Sequence, residues 1–116
     1  MDEPILSTIK SLLSIEDDAS GFDEELLILI ASSFAKLCQL GVGPKEGVGE
    51  IDENTTWGSL INDARLAMVK EFVYLDVRLS FDPPTASALT AFENKKKEVE
   101  WRAMIMAEDI ESEAGE

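Results

Sequence analysis

The stretch RLSFDPPTASALTAF, residues 78–92, decides how the chain is built, because it sets two adjacent prolines between segments with helical spacing on either side. Proline fixes its own φ, donates no backbone hydrogen bond and pushes the preceding residue out of the α region. Pro83 therefore ends a helix near Phe81 or Asp82, Pro84 keeps Pro83 extended, and Thr85 is placed to cap the next helix. A break this short is a corner between antiparallel helices and not a free linker.

Upstream of the corner, Trp57, Ile61, Ala64, Met68, Phe72, Leu75 and Leu79 recur at steps of three and four, which predicts one continuous helix of about six turns. Val69, Val73, Val77 and Phe81 form a second apolar row beside the first. Together the rows are wider than a helix packed on one side requires, so a partner chain is expected to cover part of them. Downstream, Leu89, Phe92, Val99, Ala103, Met106 and Ile110 form the stripe of a last helix expected to end near Ala107. Lys96 interrupts that stripe. Trp101 and Ile105 lie off it, one turn apart, and suit either a core or an interface with another protein.

Toward the amino end, Ile5, Ile9, Leu12 and Leu13 predict a short helix over residues 4–14, with Pro4 at its start. The acidic break EDDASGF follows. Asp23 is then expected to cap a second helix running to Leu40 and stopping at Gly41. Its LLILIA segment has strand propensity, but apolar spacing continues through Phe34, Leu37 and Cys38, so length favours a helix, placed in the middle of a bundle. Residues 41–56, rich in glycine, read as a loop. The expected fold is an all-α bundle of about four helices, one short and three longer. It forms a single domain over residues 1–107, followed by an acidic, flexible tail over 108–116.

Composition narrows the function classes. The 116 residues carry 24 acidic and 10 basic side chains and no histidine, a formal net charge of −14. Such a chain has no general footprint for gripping phosphates, which disfavours a helix-turn-helix DNA binder. The glycines of the 41–56 loop do not make a phosphate-binding loop, because Lys45 is followed by Glu46 where serine or threonine is needed. The acids at 16–18 and 23–25 lack the alternating ligands and central glycine of a calcium loop, so no metal site is expected. Cys38 is the one cysteine, read as a small buried hydrophobe, and no serine sits in a nucleophile-elbow context. No catalytic residue and no cofactor is expected, and the chain reads as a non-enzyme. MDEPILSTIK has no apolar signal core, and LLILIA is far shorter than the roughly 20 residues a membrane helix needs, so a soluble, cytosolic chain is expected. The lysines at 95–97 are flanked by Glu93, Glu98 and Glu100 and read as a solvated helix face.

The stretch YLDVRLSFDPP, followed by a helix containing EVEWR, resembles the head–tail connector (adaptor or head-completion) proteins of tailed bacteriophages. The opening ILSTIKSLLSI, an acidic break and then FDEELLILIASSFAKL are also similar to that family. The resemblance covers about residues 5–106, leaving out the Gly41–Glu50 loop and the acidic tail. It implies a structural virion protein, made in the host cytoplasm, whose copies form a ring of about a dozen beneath the portal. The implied partners are other copies of the chain, the portal protein and the next neck or tail-completion protein. Double-stranded DNA would pass through the channel without sequence-specific binding, and no membrane is involved. Val77, Phe81, Trp101 and Ile105 are the residues expected at subunit or portal contacts. A reading from a different class is a small acidic helical module that sequesters a basic protein.

Overall fold

The computed structural model describes residues 3–16, 18–42, 49–61 and 65–114. Asp17, the centre of the glycine-rich loop at 43–48, Ala64, the side chain of Ile110 and the last residues of the tail, on which expectations were placed, lie outside the described residues. The helices are α1 (Ile5–Leu12), α2 (Asp23–Gln39), α3 (Trp57–Leu60), α4 (Leu66–Phe81) and α5 (Ala86–Ala114). The all-α bundle expected from the spacing is the fold observed.

The proline pair is a corner. Asp82 leaves helical backbone at φ −145° and ψ 70°, and the chain re-enters a helix at Ala86. The Thr85 carbonyl accepts the N–H groups of Ala88 and Leu89 at 2.9 and 2.8 Å, starting α5 where its cap was expected. Contacts across the corner run in reverse order. Arg78 lies over the Phe92 ring, Lys96 reaches Asp76, and Met68 lines a groove with Trp101 and Ile105. α4 and α5 are therefore antiparallel. The same argument fixes α2 against α4: Phe22 meets Phe81, Lys36 meets Asp76, and the Arg65 guanidinium donates to the Val42 carbonyl at 2.8 Å. α4 thus lies between α2 and α5.

That central position explains both apolar rows of α4. Val69, Val73 and Val77 are covered by the chain's own helices, at 1 % exposure or less, as is Phe72. A partner chain was expected to cover part of this surface; for these four residues the two flanking helices do so, while Met68 and Phe81 of the same rows stay half-buried. The four join Leu26, Ile30, Phe34 and Leu37 of α2, Ile5, Leu6 and Ile9 of α1, and Trp57 in one buried cluster. Among the described residues, α5 supplies Val99 and Ala103 to its buried members.

The expected continuous helix from Trp57 is also corrected. α3 is a single turn, and Ile61 is extended at φ −133° and ψ 120° while staying buried. Pairing between the segments before α1 and α3 holds this turn. The Ile5 N–H donates to the Thr55 carbonyl at 2.9 Å and the Trp57 N–H to the Glu3 carbonyl at 3.2 Å. The Trp57 indole donates to the Thr8 hydroxyl at 2.9 Å. Gly58 inside the turn and a β-branched residue at 61 weaken a longer helix there. At the other end, α5 continues past Ala107 to Ala114, since no glycine or proline interrupts a run rich in alanine and glutamate.

Both early helices end in the same motif. At α2, the Val42 N–H donates to the Leu37 carbonyl and the Gly41 N–H to that of Cys38, with Gly41 at φ 81°. At α1, the Ile15 N–H donates to the Lys10 carbonyl and the Ser14 N–H to that of Ser11, with Ser14 at φ 62°. Serine pays a steric cost in that left-handed position and glycine does not. Ser14→Gly is expected to raise unfolding stability by about 0.5–1 kcal/mol and Gly41→Ala to lower it by about 1 kcal/mol, measured by urea denaturation. Asp23 differs from its expected role. It is the first residue of α2 with Phe22 at the cap, and its carboxylate takes the buried Lys10 ammonium at 2.9 Å.

Candidate functional site

Asp76 holds the helices that shape the exposed face. It is 4 % exposed on α4, accepts a 2.6 Å hydrogen bond from the Ser33 hydroxyl, and receives the ammonium groups of Lys36 at 2.9 Å and Lys96 at 2.8 Å. Burial pushes its carboxyl pKa up. Hydrogen bonds from Lys96, Ser33 and Lys36, with the charge of Lys96, outweigh burial and hold it below the ordinary carboxylate value. Lys96, which interrupts the apolar stripe of α5, is thus turned inward, and its ammonium also lies 5.6 Å from the Phe72 ring centre. Lys95 reaches Glu71 of α4 at 3.5 Å. Of the lysine run, Lys95 and Lys96 fasten α5 to α4, and Lys97 is exposed.

With α5 fixed in this register, part of its surface is left open beside the start of α4. Met68, Trp101, Arg102, Ile105 and Met106 line a shallow groove of about 260 Å³. Trp101 is 64 % exposed and Ile105 40 %. Trp101 follows the buried Val99 by two positions, about 200° around the helix, so packing within the chain leaves it outside. Arg102 is held by Glu98 at 2.8 Å on the rim.

The four residues expected at subunit or portal contacts therefore separate. Trp101 and Ile105 share this groove. Val77 does not belong to it, because it is 1 % exposed in the chain's own core. Phe81 is half-buried, with its ring edge-on to Phe22 at 5.2 Å. Met68 and Met106 were legible only as members of apolar stripes, and Arg102 only as half of a surface ion pair. Ile28, 63 % exposed on α2, was hidden inside an apolar run.

No cluster of three or more metal-ligating side chains occurs among the described residues. Burial pushes the Cys38 thiol up, away from the thiolate form that reacts. Among the described residues, no helix is long and apolar enough to cross a membrane. What the open face offers is a shallow recess flanked by an exposed tryptophan and isoleucine, with two methionines and an arginine along it.

The family model for phage connector proteins matches residues 5–109. No curated protein and no solved structure matches the chain. The chain belongs to the phage connector family, whose role is structural. Connectors of this family work at the head–tail interface of the virion, in association with portal and neck proteins.

Proposed function

We propose that copies of this chain close a ring beneath the portal, extend the DNA channel, and present a platform to the next neck protein. The observation that carries the reading is the open α4–α5 face, where Trp101 and Ile105 stand exposed beside a recess. Tryptophan in such a recess is the common anchor of a protein–protein contact. The net charge of −14 suits a channel wall along which DNA slides without adhering. DNA is then a passenger, guided by repulsion and not by base or phosphate contacts.

The test is a joining assay. DNA-filled heads produced without this protein are mixed with purified tails and remaining neck proteins, with and without the purified chain. Adding the chain restores joined particles if it is the connector. Heads that join equally well without it, or a chain that binds only a basic host protein and leaves joining unchanged, would sink the reading.

A further inference from the structure

The exposed large apolar side chains fall in two groups: Leu12, Phe22 and Ile28 on and before α2, and Trp101 and Ile105 on α5. Phe22 already leans on Phe81. Ile28 is two residues from each of the buried Leu26 and Ile30, so it projects from the opposite side of α2. Ser32 and Ala35 continue that side at steps of four and three, and both are exposed. This ridge carries one bulky apolar side chain followed by small ones, a shape that lets another helix approach closely.

The groove of Met68, Trp101, Arg102, Ile105 and Met106 has the converse shape. The two surfaces cannot meet within one chain. α2 and α5 each pack on α4, and Ile28 projects from the side of α2 opposite its buried Leu26 and Ile30, away from the helices that carry the groove. They can meet between copies arranged head to tail, the geometry that closes into rings. Charge favours the same pairing. Exposed Glu24 and Glu25 lie one turn before Ile28, whereas Trp101 has the exposed cations Lys97 and Arg102 beside it together with Glu98 and Glu100, so a neighbour's carboxylates find cations there on a chain with only 10 basic residues. Arg102 is 57 % exposed and carries one carboxylate already, from Glu98, so a neighbour's carboxylate can extend that ion pair into a chain of charges.

We infer that the groove beside Trp101 is filled by a second copy of this chain, which inserts Ile28 and sets Glu24 and Glu25 against Arg102 and Lys97. This rests on the ring reading above and names the surfaces that join neighbours. It also assigns α2 and α5 to subunit contacts, leaving other faces for the portal and the next neck protein.

The test uses the full chain mixed with its portal, with bound copies read by native mass spectrometry. The wild-type chain gives the full ring. Ile28→Asp and Trp101→Ala each lower the yield of full rings at least tenfold. Both positions are exposed, so the melting temperature of the free chain should move by no more than about 3 °C, which separates lost assembly from lost folding. Glu25→Arg and Arg102→Glu each lower ring yield about threefold or more, and the double variant recovers it. Full rings from Ile28→Asp and Trp101→Ala, or no recovery in the charge-reversed double variant, would overturn the pairing and leave the ring itself standing. A wild-type chain that forms no ring on the portal overturns both.

Discussion

Trp57→Ala is expected to lower unfolding stability by about 4 kcal/mol, read by circular dichroism in urea. Trp57 is 1 % exposed and lies against Phe34, ring centres 6.1 Å apart, with the Lys70 ammonium 5.6 Å from its own ring centre. Truncation opens a cavity between α1, α2 and the start of α4, where the surrounding helices can collapse only partly. It also removes the indole N–H that the Thr8 hydroxyl accepts at 2.9 Å. Trp57→Phe keeps most of the packing and loses that donor, so a smaller loss of about 1–2 kcal/mol is expected. Equal losses for the two variants would show that the hydrogen bond, and not the packed volume, fastens this end of the molecule.

Asp76→Ala is expected to cost about 2–3 kcal/mol, a fall in melting temperature of about 10 °C. The carboxylate joins Ser33 and Lys36 of α2 to Lys96 of α5, and its removal leaves two ammonium groups facing each other. The loss stays below that of a fully buried pair because Lys36 is 47 % and Lys96 24 % exposed, so both can turn toward water. The Ser33 hydroxyl also keeps the Leu29 carbonyl as an acceptor at 3.1 Å.

The same group predicts a pH dependence. Its folded-state pKa is lowered, so its contribution is fully present above the unfolded-state value of about 3.9 and is lost as pH falls through the folded value. The stability gap between wild type and Asp76→Asn should therefore be constant near neutrality and shrink in acid below about pH 4. A gap that widened toward low pH would contradict the assignment of Asp76 as an ionised acceptor.

Helical spacing and the proline pair carried most of the fold. Apolar steps of three and four located α1, α2, α4 and α5, and the steric rules for proline placed the corner after Phe81. The same periodicity hid the break at Ile61. Trp57 and Ile61 are buried with α4, so the spacing continues although the backbone does not. The pairing of Pro4 with Thr56 that holds this break is long-range and leaves no local signal. Width of the apolar surface was misleading for Val77, because a helix between two neighbours buries two rows within its own chain. Trp101 and Ile105 were legible from their offset to the stripe of α5. Their groove was not, since Met68 comes from another helix and its register depends on Lys96 turning inward to Asp76.

The connector account turns on whether copies of this chain close around the axis of the portal. Electron microscopy of the purified portal mixed with the full chain measures this directly. The account predicts a closed ring of about a dozen copies, coaxial with the portal and leaving an open channel. Portals with no added density, or with isolated copies bound at their rim, would contradict it.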